Sequence, residues 1–528
     1  MMPERARRRE LWIAAIALVI GSYLYRLPAL VNAEGTNADA AVVGLQAMHI
    51  LRGEHAAFLW GSGYQTSADS YVAAAWFALL GPTGLALRLS TLTDHVILTL
   101  AAFGVLTRRF RPSVAALLAG VLVLTPSTMH TYILYPPRQL ALTLAFVGLW
   151  IADGAPHGRR RPLLRFAIGC GLGTLACGAD PYTLLFLPLS GLWALLIALD
   201  TWGVEGGGAR LVRTAKRLGA GLAGALIGAV PYVLFLLQAR HTEGTLTLNW
   251  ADVPRRYGLL VEECFPALVS TRVYSYAPDG TWGPYPFSPS FVAVERVGAW
   301  LFLAGVASGL ALVFVRRIPW SVRRVGLVGA VALPLTLAAF LSSNMIMDRH
   351  ASRYLVAIVL FAPFALAPAA YLLRGARAAI ALTPYLVSVA GGGWTSYRPW
   401  TDGLRVDASW GRHEDEWALH RALSERHVEY AIADYWSSYR LGFLWREAIV
   451  VVPKAVVEDR YPPQREAFSK AARVAYIHDP ERCSESPDDV AAAIAAGKTP
   501  FEPTFERLRF GAFTAFVLTR REIAPNLW

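Results

Sequence analysis

The sequence predicts a polytopic α-helical membrane protein that ends in a small α/β domain, and three observations carry that prediction. Of the 528 residues 55% are hydrophobic and only 17% charged, and the mean hydropathy of +0.38 is too high for a chain whose whole surface meets water. Apolar runs long enough to cross a bilayer, roughly 20 residues each, recur up to Trp394. Beyond Trp394 the apolar stretches become short and alternate with charged segments.

The first run follows a basic start, "MMPERARRRE" leading into "LWIAAIALVIGSYLYRLPALV". It is too long for a cleaved leader and has no small-residue cleavage site, so it predicts a retained signal anchor. Further runs lie near 86–107, 114–134, 139–153, 166–179, 182–200, 218–238, 296–315, 325–342, 354–373 and 378–394, which makes about eleven. Between alternate runs sit "RRFR" (108–111), "RRRPLLR" (159–165), "RLVRTAKR" (210–217), "RRIPWSVRR" (316–324) and "RGAR" (374–377). Basic loops stay on the cytoplasmic side, so the N-terminus is expected inside. An odd number of spans then puts 395–528 outside. The opposite loops, chiefly 33–85 and 239–295, carry more acids than arginines. The net charge of +12 is explained by loop anchoring, and nucleic acid is not expected as a partner.

Two domains are therefore expected, a transmembrane core over 1–394 and an outer domain over 395–528. In the outer domain "EDEWALHRALSERH" (414–427) has helical spacing, "VEYAIAD", "AIVVVP" and "RVAYIHD" read as short buried strands, and "DDVAAAIAAG" reads as a helix closed by glycine. Four cysteines are too few for a disulfide framework, although Cys264 and Cys483, both in polar segments, leave one bridge open. No internal repeat is visible, which argues against a transporter.

The chemistry is expected in the first outer loop, 33–85. Both "ADAAVVGLQAMHILRG" and "ADSYVAAAWFALLG" have helical spacing, are too short to span, and should lie along the interface. Asp39 and Asp69 each begin one of these helices. Either carboxylate could cap its helix by accepting backbone N–H bonds, or act on a substrate at the membrane surface.

The stretch "ADAAVVGLQAMHILRGEHAAFLWGSGYQTSADSYVAAAWFALLGPTGLALRLSTL" resembles the first outer loop of bacterial GT-C glycosyltransferases, the class that contains protein O-mannosyltransferases (glycosyltransferase family 39) and lipid A aminoarabinose transferases. There an acid follows the first helix, then a Gly-Tyr turn, then a second acid opening a juxtamembrane helix. The segments "GADPYTLLFLPLS", "RYGLLVEECFPALVS", "SRYLVAIVLFAPFAL" and "ADYWSSYRLGFLWREAIVVVP" resemble the same class in the same order. Ala40 follows Asp39 where relatives often carry a second acid.

The resemblance implies a GT-C fold and transfer of a sugar from a polyprenyl-phosphate donor to a glycan, lipid or protein acceptor, with inversion, among the lipids at the outer face of the bacterial cytoplasmic membrane. Asp39 is then the expected general base, and Asp69 the second acid that orients the acceptor. The two together would suit a divalent cation, which wants several oxygen ligands; no other cofactor is implied. The leaving lipid phosphate calls for arginine, whose planar fork matches phosphate oxygens. Arg353 in "ASRYL" is the first candidate, with Arg349 and Arg138 next, although snorkelling to headgroups is their alternative. Asp180 in "GADPY" is expected on the acceptor side or as a helix terminator. Trp60 and Tyr64 would line a sugar groove or belong to an interfacial aromatic belt. Other readings are a lipid-linked oligosaccharide ligase or polymerase, a transporter or flippase, and an envelope scaffold without activity.

Overall fold

The computed structural model describes residues 3–63, 65–155, 161–199, 207–238, 247–276, 282–374, 376–407, 413–497 and 499–521. Every apolar run named above falls on helix. Seven helices are long and apolar enough to cross a membrane: Gly84–Thr107, Pro162–Ala179, Pro181–Ala198, Leu211–Leu234, Pro289–Leu312, Trp320–Ser342 and Arg349–Leu373. The pair Pro112–Val123 and Ser127–Leu134, bent by 76°, makes an eighth if it is one span. Length and composition thus support seven or eight spans among the described residues, where about eleven runs had been expected. The remaining runs fall short for physical reasons. Glu4–Tyr25 opens on a charged turn. Gln139–Gly154 has 16 residues, a rise of about 24 Å against a hydrocarbon layer of about 30 Å. Ala376–Thr395 carries Arg377 and ends in a run of glycines.

The chain divides into two compact units. One comprises Met1–Ala29, Thr91–Leu134 and Arg138–Asp407, the other Leu30–Ser90, Tyr135–Pro137 and Ala408–Trp528. The first outer loop, with the start of helix Gly84–Thr107, therefore packs with the C-terminal segment.

In the first unit, small residues allow helices to approach closely. A Cβ on Gly148 would lie 2.6 Å from the Gly169 carbonyl oxygen, so helix Gln139–Gly154 packs against Pro162–Ala179 nearly backbone to backbone. Asp153, fully buried, receives hydrogen bonds from Arg108 Nη1 (2.8 Å), Arg109 Nη1 (2.8 Å) and Arg324 Nη2 (3.2 Å). The arginines come from the basic segments 108–111 and 316–324, which thus tie helix ends together.

The second unit is built on a five-stranded sheet: β1 (Tyr430–Ala433), β2 (Val450–Pro453), β3 (Arg473–His478), β4 (Phe501–Phe510) and β5 (Phe513–Arg520), in the order β2-β1-β3-β5-β4. Strand β1 is parallel to β2 and β3, and β5 is antiparallel to β3 and β4. Successive side chains point to opposite faces. Ala431, Ala433, Val451 and Ile477 join a core with Leu419, Leu423 and Leu441, and Ile432, Val452, Val474 and Tyr476 join another with Phe468, Val490 and Ile494. The sheet is covered by helices on both faces, as the short apolar strands of the sequence require. The hairpin of β4 and β5 lies outside the sequence-based expectation, because "FEPTFERLRF" alternates with charge and is largely exposed at the sheet edge.

Helix Ala38–Leu51 is not a surface helix: it is buried at every position from Ala40 to Ile50. It packs against helices Ala68–Leu80 and Tyr435–Leu444 in a core that includes Val43, Leu45, Phe77, Tyr439 and Phe443. Gly44 makes this approach feasible, since a Cβ there would come 2.5 Å from Phe443 Cε2. All four cysteines, Cys170, Cys177, Cys264 and Cys483, are free thiols.

Truncating Phe443 to alanine removes the ring packed against Gly44 and should destabilise the second unit by about 3–5 kcal/mol. The expected result is a drop of several degrees in the thermal unfolding midpoint of the detergent-solubilised protein; an unchanged midpoint would show that this contact is dispensable.

Candidate functional site

In the second unit the candidate base is free of the bland role open to it. Helix Ala38–Leu51 is capped by Asn37, whose side chain accepts from the Ala40 N–H at 2.8 Å. Asp39 is left exposed. Its Oδ1 accepts a hydrogen bond of 2.8 Å from the Tyr435 hydroxyl. Tyr435 opens the helix that follows β1, and Asp434 caps that helix by accepting from the N–H groups of Trp436 (2.8 Å) and Ser437 (3.3 Å). Arg460, in the segment after β2, donates from Nη2 to the Tyr435 hydroxyl at 3.2 Å and from Nη1 to the Gly61 carbonyl at 2.8 Å. Gly61 has φ +61°, and a Cβ there would lie 2.7 Å from Arg460 Cα, so glycine is required on both counts. Burial, and then the negative charge of Asp39, push the Tyr435 hydroxyl well above its ordinary pKa of 10.0, which keeps it a donor.

Asp69 is placed differently. It is buried in the first turn of helix Ala68–Leu80. Beside it Ser70 donates to Gln46 Oε1 at 2.8 Å, and Gln46 Nε2 donates to the Phe58 carbonyl at 2.8 Å. These bonds pin the two loop helices to each other. Trp60 is a core residue, stacked on Tyr461 with centroids 4.0 Å apart and planes at 16°, with the His49 ring 4.8 Å away edge-on. Tyr64 lies outside the described residues.

In the first unit two of the arginine candidates, Arg138 and Arg353, lie beside a cluster of three tyrosines, Tyr132, Tyr182 and Tyr354. Arg138, at φ +107°, immediately precedes helix Gln139–Gly154. Its Nε lies 3.4 Å from Asp180 Oδ2 and its guanidinium 5.9 Å from the Tyr132 ring centroid. Asp180 also caps the turn Pro181–Phe186, accepting from the Tyr182 N–H at 2.7 Å, so it is a helix-start cap as well as an arginine partner. The Tyr182 hydroxyl donates to the Tyr354 carbonyl at 3.3 Å. Arg353 stands 5.2 Å over the Tyr354 ring and donates from Nη2 to its hydroxyl at 3.4 Å. Its Nε is buried without a hydrogen-bond partner among the described residues. Arg138, Arg353 and Asp180 all lie close enough to Tyr132 to interact with it electrostatically. Arg349 begins the turn that carries Arg353, and its carbonyl accepts from Cys264 Sγ at 3.7 Å. Among the described residues no group of three or more His, Cys, Asp and Glu is arranged to hold a metal ion.

Neither a protein-family model nor a curated protein matches the chain. Solved structures that it resembles include ArnT from Cupriavidus metallidurans in the apo state, at 12% identity over 96% of this chain and 97% of that one, TM-score 0.47. ArnT from the same organism bound to undecaprenyl phosphate matches at 14% identity over 96% and 97%, TM-score 0.48. The archaeal oligosaccharyltransferase AglB from Archaeoglobus fulgidus, in complex with an inhibitory peptide and a dolichol-phosphate, matches at 13% identity over 88% of this chain and 69% of that one, TM-score 0.41.

Sequence reasoning missed Tyr435, Arg460 and Glu447, which reach the first loop from the C-terminal segment. Glu447 joins a second polar link, accepting at Oε1 from Gln464 Nε2 (2.6 Å) and at Oε2 from Arg52 Nη1 (2.6 Å). Its Oε1 also bonds His49 Nε2 at 2.7 Å, while His49 Nδ1 bonds Glu54 at 2.8 Å. Burial disfavours charge on His49, but the bonds to Glu447 and Glu54 outweigh it and raise its pKa above the ordinary 6.5. Burial pushes Glu447 up, yet its bonds to His49 and Arg52 hold it below the ordinary 4.5.

The stabilisation from His49 is complete below pH 6.5 and is lost as pH rises through its raised value, whereas that from Glu447 is present above 4.5 and is lost as pH falls. The thermal midpoint should therefore decline as pH is raised above 6.5, and Glu447→Gln should flatten that decline. An identical slope in the variant would show that His49 is not held charged by Glu447.

Proposed function

We propose that the chain is a GT-C-type membrane glycosyltransferase that moves a sugar from a polyprenyl-phosphate donor to an envelope acceptor at the outer face of the bacterial cytoplasmic membrane. The N-terminus lies in the cytoplasm and 395–528 outside. One observation carries the reading: Asp39 is not committed to capping its own helix, is exposed, and is held at one oxygen by a neutral hydroxyl. A carboxylate so placed is available to take a proton.

The chemistry balances as a direct displacement. An acceptor O–H or N–H gives its proton to Asp39 while its lone pair attacks the anomeric carbon. The bond from that carbon to the phosphate oxygen breaks with inversion, and the electron pair leaves with the lipid phosphate. The growing charge needs a cation in a site poor in water. Arg353 suits this because, among the described residues, its Nε is buried without a hydrogen-bond partner and its Nη2 donates to a neutral tyrosine hydroxyl. Arg138, shared with Asp180, plays the lesser part, and Arg349 the least. Asp69 orients the acceptor, and Trp60 contributes by packing.

Two substitutions test this in membrane vesicles supplied with radiolabelled polyprenyl-phosphate sugars. Asp39→Asn should lower transfer by about 100-fold or more; bulk transfer by this variant would exclude Asp39 as the base. Arg353→Ala should likewise lower transfer by about 10-fold or more, with Arg353→Lys restoring only part because a point charge does not reproduce the bidentate fork. Native rates in Arg353→Ala would exclude the phosphate role.

A further inference from the structure

Resting on the reading of Asp39 as the base, we propose that Tyr435, backed by Arg460, is the residue that positions Asp39 and fixes which of its two oxygens takes the proton.

The direction of this relay follows from the chemistry of the three groups. Arginine has only donors, and an ionised carboxylate only accepts. With Arg460 Nη2 donating to the Tyr435 oxygen at 3.2 Å, the single phenolic proton is left to point at Asp39 Oδ1, 2.8 Å away. The order Arg460 to Tyr435 to Asp39 therefore has no alternative arrangement of protons. Oδ1 gives one of its lone pairs to that bond, and Oδ2 is the oxygen better placed to take the proton of an acceptor.

The relay is anchored at its two donors, Arg460 and Tyr435. Arg460 is held by the Gly61 carbonyl at Nη1, and its backbone N–H donates to the Tyr439 hydroxyl at 2.5 Å. The Tyr435 ring lies 5.4 Å beneath the Arg460 guanidinium and 5.4 Å from the Tyr439 ring at 67°. Tyr435 itself is fixed at the start of a helix capped by Asp434. Asp39 alone has no such support, for it sits exposed in the first turn of its helix. An exposed aspartate samples several rotamers, and only a fraction of them would suit transfer of a proton to a fixed oxygen. A hydrogen bond from a rigid phenol selects one. The positive charge behind the phenol makes it a stronger donor to the carboxylate without placing a cation on the base itself, where a salt bridge would compete with the acceptor for both oxygens.

Tyr435→Phe keeps the ring and its packing and deletes only the hydroxyl. Its expected effect is a fall of roughly 10-fold in kcat, as loss of orientation at a reacting group predicts, with the KM for polyprenyl-phosphate sugar and the thermal midpoint unchanged. The discriminating experiment is a double-mutant cycle in single-turnover assays. If Tyr435 acts through Asp39, Tyr435→Phe lowers transfer in the native chain and has no further effect in Asp39→Asn. A native kcat in Tyr435→Phe, or the same fractional loss in both backgrounds, overturns the positioning role and leaves the base assignment standing. Native turnover in Asp39→Asn overturns the base assignment and the positioning role together, so the two failures are distinguishable. Arg460→Lys, which keeps the charge but cannot reach Gly61 and Tyr435 in one fixed geometry, should give a smaller fall that also vanishes in Asp39→Asn.

Discussion

Helix Ala38–Leu51 lies so close to helix Tyr435–Leu444 that no side chain fits at Gly44, where a Cβ would meet the Phe443 ring, and the candidate site of the second unit depends on that approach. The contact is apolar and close-packed in the middle and polar at both ends. At one end Asp39 meets Tyr435; at the other His49 meets Glu447. Ten residues of helix separate the two, about 15 Å at the helical rise. The apolar contact supplies the stability, and the polar links fix the register and rotation of one helix on the other. Asp39, the proposed base, is thus carried on a closely packed helix rather than on a loop.

The charged groups fall into two kinds according to their partners. Asp153, buried with Arg108, Arg109 and Arg324 around it, has its capacity for hydrogen bonds filled by the protein and serves structure. Asp39 and Arg353 are different: each has a neutral tyrosine as its partner. A neutral partner orients a charge without neutralising it, which leaves the charge available to a substrate. Arg138 is intermediate, because Asp180 lies against it. That contrast separates candidate functional charges from structural ones more sharply than sequence position does.

Much of the architecture was legible in the sequence because it is written in local periodicity. The apolar runs became helices, and the helices at 414–427 and 488–497 and the three parallel strands lie where spacing placed them. The outcomes that escaped are those set by non-local packing. Whether "ADAAVVGLQAMHI" lies on a membrane surface or in a core cannot be read from its own residues, which are apolar nearly all round; the decision is made by Phe443, some 400 positions away in the chain. The same holds for Tyr435 and Arg460, which look like ordinary residues of a helix start and a loop until the fold brings them to Asp39. Asn37 was the one local signal that could have been read in advance, since an Asn just ahead of an apolar helix is a preferred cap and frees the Asp two positions later.

Mass spectrometry of the envelope lipids, polysaccharides and proteins of cells with and without the gene is the measurement that decides whether the protein transfers a lipid-linked sugar. One class of acceptor is expected to lose the mass of a sugar residue when the gene is removed and to regain it when the gene is restored. Envelope molecules of identical mass in both cells, under conditions where the protein is made, would contradict that transfer.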